Sequence, residues 1–372
     1  MKRIYMDYNA STPIAPEVQQ IIIETLEGAY GNPSASHWAG IPAKKAVEKA
    51  RAQIASLIGA APEEIIFTSG GTEANNHVLK GTIDACPHKG HIITTKVEHP
   101  AVLEPCRHLE KYGTEVTYLE TDTYGQVHPA DIKAAIKENT VLISVMHANN
   151  EVGTVNPIHQ IADIARRHHI PLHSDAAQSL GKIPVDVNEL GVDYLSIAGH
   201  KLYAPKGIGA LYIRKGQTPE SFMHGAGHEQ GRRAGTENVV LAAGLGKACE
   251  LIEYDNHQTD IQELRDDFWQ QLQNEFGSRI ILNGHPVERL PNTLHVSFKG
   301  YIGQDILNDI PDVCASTGAA CHSGSVNLSP VLKAIGKDTE SGKGAIRFSL
   351  GRYTKKSDIQ IVVESLKKII SK

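Results

Sequence analysis

From about residue 60 to residue 255, short apolar runs alternate with segments whose apolar residues recur at helical spacing. Strand patterns fall at 64–68, 91–95, 115–119, 141–146, 171–174, 194–197 and 210–213, and helical patterns at 43–58, 130–136, 158–168 and 239–252. Runs that are apolar throughout, rather than on alternate residues, belong to strands buried on both faces. Strand and helix in alternation therefore predict an α/β fold with a mostly parallel seven-stranded sheet covered by helices. Ligands of such sheets bind beyond the carboxyl ends of the strands, so residues just after each strand carry the functional expectations.

The texture changes near residue 256. A long helix is expected at 261–276, a strand at 294–298, a Gly/Ser/Ala-rich stretch at 315–325, a strand at 347–350 and a final helix at 358–370. This reads as a smaller C-terminal α+β domain, and 372 residues suffice for two domains. With a formal charge of −5 and no run of five basic residues, nucleic acid is not an expected partner. No apolar stretch approaches a membrane span, and Met1–Asp7 has a basic pair without the apolar core of a signal peptide, so a cytoplasmic protein is expected. On that basis Asn9-Ala10-Ser11 matches the glycosylation pattern by chance. Five cysteines with no CxxC suit neither a disulfide framework nor a zinc ribbon, and nineteen histidines include no HExxH, so no metal site is expected.

The strand-end residues carry chemistry. Ser196-Ile197-Ala198-Gly199-His200-Lys201 delivers an amine at the end of an apolar run. A desolvated lysine tends to lose its proton, and a neutral amine in a pocket traps carbonyls, as in a pyridoxal phosphate Schiff base; a surface lysine after a strand is the plainer alternative. Ser69-Gly70-Gly71-Thr72-Glu73 turns from a strand into a helix, either as an anion site of backbone N–H groups or as a helix capped by Ser69 or Thr72. Asp175, at the end of 171–174, is placed to hold a pyridinium protonated, or to cap a helix, and Gln178 lies about one turn on. His99 and Asn150 follow strands too, as a ring partner and an amide donor, or as ordinary loop residues. Cys321, in Gly318-Ala319-Ala320-Cys321-His322-Ser323-Gly324, has no large apolar neighbours and is a candidate nucleophile, whereas Cys314 is expected to be buried and inert. Arg347 is a charge inside a strand pattern, suited to a substrate carboxylate or to an edge strand.

Taken in order, these motifs resemble those of the cysteine desulfurases and selenocysteine lyases, pyridoxal 5'-phosphate (PLP) enzymes of the class V aminotransferase group with the type I PLP-dependent transferase fold. The likeness runs from Tyr5-Met6-Asp7-Tyr8-Asn9-Ala10-Ser11-Thr12-Pro13 through Gly31-Asn32-Pro33-Ser34, Asn149-Asn150-Glu151 and Arg233-Ala234-Gly235-Thr236-Glu237-Asn238 to Arg347-Phe348-Ser349-Leu350-Gly351-Arg352. It implies a large PLP-binding domain at 16–255, and a small domain of 1–15 with 256–372 that carries the catalytic-cysteine loop. Lys201 would hold the cofactor as an imine and Asp175 would pair with the ring nitrogen. Gln178 and Asn150 would contact ring oxygens, and His99 would stack on the ring and exchange protons. Gly71, Thr72 and His200 would bind phosphate. Thr236 would reach the phosphate site of a neighbouring subunit, which implies a homodimer. Arg347, with Asn32, would hold the substrate carboxylate, and Cys321 would accept sulfur. One departure is Ala198, where many desulfurases carry a phosphate-binding serine.

The activity implied is conversion of L-cysteine to L-alanine, with sulfur passing to Cys321 as a persulfide and on to an acceptor such as an iron–sulfur scaffold protein. The nearest alternative is release of selenium from L-selenocysteine. The wording around Ala198-Gly199-His200-Lys201 leans toward that branch, while the long stretch from Cys321 to Arg347 leans toward desulfurases with a mobile loop. A simple aminotransferase would leave Cys321 without a task, and a non-enzymatic carrier-binding scaffold would leave Lys201 unmodified.

Overall fold

The computed structural model describes residues 2–88, 90–253, 258–322 and 325–370. Seven strands form the main sheet: β1 (Ile65–Thr68), β2 (His91–Thr95), β3 (Glu115–Leu119), β4 (Thr140–Ser144), β5 (Leu172–Asp175), β6 (Tyr194–Ala198) and β7 (Gly209–Ile213). These are the seven strands expected, with ends shifted by no more than two residues. Their spatial order is β1-β7-β6-β5-β4-β2-β3. Strand β7 runs antiparallel to both its neighbours and the other pairs are parallel. Because two antiparallel steps restore direction, β1 ends at the same edge as β2, β4, β5 and β6.

Alternate residues of each strand feed opposite faces. Ile66, Ile92, Leu142, Tyr194 and Leu211 pack with Ala74, Val78, Leu79 and Val102 of helices α3 (Gly71–Asp84) and α4 (Pro100–Glu110). Their neighbours Ile65, Ile93, Ile143, Leu195 and Ala210 pack on the other face with α2 (Gly40–Ile58), α5 (Ile158–Arg167) and α6 (Val239–Glu253). Helix α1 (Pro16–Gly28) and α4 were not read from the sequence. Each starts on a proline, a signal that fits a helix's first turn, where no N–H partner is lost. Gly70, at φ 152°, takes the chain from β1 into α3 through backbone that other residues rarely adopt.

A second sheet has the order β10-β11-β9-β8, formed by β8 (Ile280–Asn283), β9 (Thr293–Phe298), β10 (Ser316–Thr317) and β11 (Ala345–Ser349), all antiparallel. With α7 (Gln258–Phe276) and α8 (Lys356–Ile370) it encloses its own core, where the Phe268 and Phe348 rings meet edge-on at 5.2 Å. The start of the chain belongs to this core: Ile4 and Met6 are buried in it, and Ile4–Tyr5 pairs in parallel with Val313–Cys314. Of the two readings of Arg347 the edge strand is excluded, since β11 lies between β10 and β9. One sequence expectation is corrected. Cys314 is exposed rather than buried, because in a strand flanked on one side its side chain falls on the outer face while Val313 turns inward. Among the described residues, no helix is long and apolar enough to cross a membrane.

Helices α2 and α6 touch at backbone distance. A Cβ on Gly246 would lie 2.5 Å from Ala50 Cα. Gly246→Ala should therefore destabilise by about 1–3 kcal/mol through overpacking, against the roughly 1 kcal/mol that alanine gains in a helix. Thermal denaturation decides the sign: a raised midpoint would show that the helices separate at no cost.

Candidate active site

The carboxyl edge of the main sheet opens into a cavity of about 420 Å³. Gly71, Thr72, His99, Asn150, Asp175, Gln178, His200, Lys201 and Arg347 line it, together with Asn9 and Asn75. Residues that are far apart in the chain meet there because five strand ends share one edge. Each strand stops and the next few residues turn into the cavity.

Helix α3 arrives without a side-chain cap, so neither Ser69 nor Thr72 serves as one. The Ser69 N–H is taken by Glu73 Oε2 at 2.9 Å. The first turn at Gly71 and Thr72 faces the cavity with its positive dipole end, the arrangement that attracts an anion. Ala198 also lines this end, so its methyl offers no hydrogen bond where a serine would.

Asp175 ends β5, buried. Its Oδ1 accepts from the Ala177 N–H at 2.9 Å and its Oδ2 from Asn75 Nδ2 at 2.7 Å. The short turn at Ala177 is thus real, yet both oxygens keep acceptor capacity toward the cavity. Asn75 was not foreseen, and its Oδ1 is buried with no partner. Lys201 closes the single helical turn after β6 and donates to the carbonyls of Asn9 and Ala10 at 2.5 and 2.8 Å. Burial, reinforced by the Arg347 charge, pushes its amine down to about 8, against the pull of Asp175 and Asp7.

His99 is the N-cap of α4, and its Nδ1 accepts from the Ala101 N–H at 3.1 Å. That leaves Nε2 as the nitrogen free to exchange protons in the cavity. Burial lowers the His99 pKa and that of His200, the latter to about 4, so both rings are neutral near pH 7. Behind His99, the buried Glu98 carboxyl accepts from Thr95 Oγ1 at 2.8 Å and from the Met146 N–H at 2.9 Å, and burial raises it to about 8.

Arg347 sits at 8% exposure on the far wall. Its guanidinium donates to the Asn150 carbonyl at 2.8 Å, Asp7 Oδ1 at 2.8 Å and Ser316 Oγ at 3.0 Å, while its Nε is buried without a partner. Asp7 also escaped the sequence reading; it accepts from Ser316 Oγ at 2.8 Å and so ties Arg347 to the root of the Cys321 segment. Cys321 lies in the strand Ala319–His322, opposite Val326 in a hairpin, and its side chain is outside the described ones. The hairpin closes at its base, where the Ser329 N–H donates to the Gly318 carbonyl at 3.0 Å. Two expected site residues are not brought into this cavity. Asn32 is exposed with its Oδ1 on the Ser34 N–H, and Thr236 is exposed on the segment that Arg233 fastens to Glu73. Asn9, dismissed as a chance glycosylation match, is 1% exposed and at the centre of the site.

The aminotransferase class-V family model matches residues 4–362. The chain belongs to this family. Among curated class-V relatives, cysteine desulfurase IscS of Dictyoglomus turgidum is 49% identical, with all of this chain and 96% of that protein covered. Cysteine desulfurase IscS of Pectobacterium carotovorum is 44% identical, covering 99% of this chain and 93% of that protein. Two solved structures are also similar. A NifS-like protein superposes with a TM-score of 0.92 at 35% identity over 99% of each chain. SspA, in complex with cysteine, gives 0.83 at 36% identity over 95% of this chain and 100% of that one.

The cofactor of a class-V aminotransferase of this kind is PLP, and the cavity's donor set fits it. An uncapped helix start suits the phosphate, a buried carboxylate with spare acceptor capacity suits a ring N–H, and an amine with a depressed pKa suits the aldehyde. In cofactor-free protein, Lys201 should react with an amine-directed reagent with a half-maximal rate near pH 8, followed by peptide mass spectrometry. A midpoint at the 10.5 of an ordinary lysine would contradict the burial described.

Proposed function

We propose that the protein is a PLP-dependent cysteine desulfurase that converts L-cysteine to L-alanine and transfers the sulfur to Cys321 as a persulfide. The observation that carries this reading is the convergence of Lys201, Asp175 and Arg347 on one cavity in a chain about half identical to a cysteine desulfurase. Cysteine is favoured over selenocysteine because these relatives are desulfurases and a similar solved structure, SspA, is a complex with cysteine.

When bound, PLP supplies an aldehyde that captures the substrate amine and a ring that stores the electrons released at the α-carbon. The chain's own groups do the rest. The depressed pKa of Lys201 makes its Nζ a competent base near neutrality, placed to take the substrate α-proton. Asp175 would hold a proton on the ring nitrogen. Gln178 and Asn150 would bind ring oxygens, His200 would join Gly71 and Thr72 at the phosphate, and His99 would offer Nε2 to shuttle a proton. Arg347 would use the N–H left free on Nη1, beside the hydrogens given to Asn150, Asp7 and Ser316, on the substrate carboxylate. The Cys321 thiolate attacks the substrate sulfur. The S–S bond forms as the C–S bond breaks, the β-carbon leaves with the electron pair and is protonated, and alanine departs.

The same reading assigns 16–255 to cofactor binding and 1–15 with 256–372 to the smaller domain that carries Cys321, supported by the two separate cores. It makes the protein a homodimer. Thr236, exposed on the segment that the Glu73–Arg233 ion pair fastens, serves the phosphate site of a second copy. A sulfur-acceptor protein, such as an iron–sulfur scaffold, takes the persulfide. Four described cysteines, Cys86, Cys106, Cys249 and Cys314, are free, as suits a reducing cytoplasm.

Cys321→Ala should remain yellow with PLP and bind cysteine, yet form no protein-bound persulfide by mass spectrometry. Persulfide transfer in that variant would remove Cys321 from the reaction. Arg347→Lys loses the planar fork and should raise KM for cysteine about ten- to hundredfold in an alanine-release assay. An unchanged KM would assign the carboxylate to another group.

A further inference from the structure

Lys201 has a second lysine beside it that no motif announced. The Lys182 amine turns inward, donating to Gln178 Oε1 at 2.6 Å and to Asn9 Oδ1 at 3.1 Å. Gln178 is buried, and its Nε2 donates to the Asn9 carbonyl at 2.9 Å. That same carbonyl receives Lys201 Nζ.

Chemistry fixes which way the Gln178 amide faces. A backbone carbonyl only accepts, so the amide atom opposite the Asn9 carbonyl is the nitrogen, and the oxygen is left facing the Lys182 amine, which donates to it. Nε2 carries two hydrogens and Asn9 uses one. Gln178 lines the cavity, so the group it has left to offer there is the second N–H. Without Lys182, Oε1 would have no partner, and the Asn9 carbonyl alone would hold the amide in place. Burial, with the charges of Lys201 and Arg347, holds the Lys182 pKa well below its ordinary value. An apolar side chain of the same length would avoid that electrostatic cost, and what it would lack is the pair of hydrogen bonds.

We propose that Lys182 is a positioning residue: by binding Gln178 Oε1 and Asn9 Oδ1 it locks the Gln178 amide nitrogen toward the cavity, so that the site meets the cofactor's ring oxygen with a donor. The inference rests on the PLP reading above. A donor on that oxygen stabilises its negative charge, which is greatest once the cofactor–lysine linkage has lost its proton, and so lowers the pH at which the proton leaves.

The test is a pH titration of the visible absorption of PLP-loaded protein. Lys182→Met should move the transition upward by about one pH unit. Lys182→Arg, which keeps a donor, should recover most of that shift. Gln178→Ala should also raise the transition, and adding Lys182→Met to it should change it by only a few tenths of a unit, because the two residues act as one. An unmoved transition in Lys182→Met, or a full additional shift in the Gln178→Ala background, would overturn the inference. If Lys182→Met does not fold, wild-type protein ¹⁵N-labelled at glutamine supplies the answer. The Gln178 side-chain NH₂ signal, assigned by its loss in Gln178→Ala, should move on PLP loading, and an unmoved signal counts against the donor. Wild-type protein that stays colourless with PLP would sink the desulfurase reading itself, whereas a normal wild-type titration with an unmoved Lys182→Met sinks the positioning role alone.

Discussion

Asn9 joins the two cores of the molecule through hydrogen bonds that use all of its polar atoms. Its N–H donates to Ser349 Oγ and its Nδ2 to Thr293 Oγ1, both in the second sheet. Its Oδ1 accepts from Asn292, beside the second sheet, and from Lys182, and its carbonyl accepts from Gln178 and Lys201, on the side of the main sheet. Only an amide supplies donors and acceptors from one short planar group in this way. An aspartate would turn its oxygens on the Asn150 carbonyl, and an alanine would leave buried partners unsatisfied at about 1–3 kcal/mol each. The relation between Lys201, on one core, and Arg347, on the other, passes through this residue and its neighbour Asp7.

The site that results holds a surplus of basic groups. Lys182, Lys201 and Arg347 lie close enough for their charges to oppose one another, and Asp7 and Asp175 offset them only in part. Burial and mutual repulsion act in the same direction on the two lysines. The outcome is an amine that can lose its proton near neutrality and a cavity that favours anions, which a phosphate and a substrate carboxylate both are. His99 and His200, at the cavity, are kept neutral by their partial desolvation, so they add hydrogen-bonding groups without adding charge.

How much of this was legible follows the range of each interaction. Six main-sheet strands were readable because a strand buried on both faces is rich in apolar residues, and the edge strand Glu115–Leu119 because it is short and lies between helical patterns. Asp175, Lys201 and His99 were readable because a parallel sheet gathers its strand ends at one edge. Asp7, Asn75 and Lys182 were not: Asn75 meets Asp175 across 100 residues and Asp7 meets Arg347 across 340, and no periodicity encodes such pairs. Arg347 and Cys314 show the same limit from the other side. A strand pattern does not reveal whether the strand will be central, nor which face of a two-residue strand will look outward.

Local chemistry written in order along the chain determined the α/β sheet, the strand-end amine and carboxylate, and the helix start that favours an anion, because each depends on residues within a few positions of one another. The tertiary structure alone decided that Asn9 is a buried junction, that Asp7 pairs with Arg347, and that Asn32 does not line the cavity. Those outcomes depend on where distant segments come to rest, and a hydrogen bond senses a partner within about 3 Å regardless of the sequence that separates them.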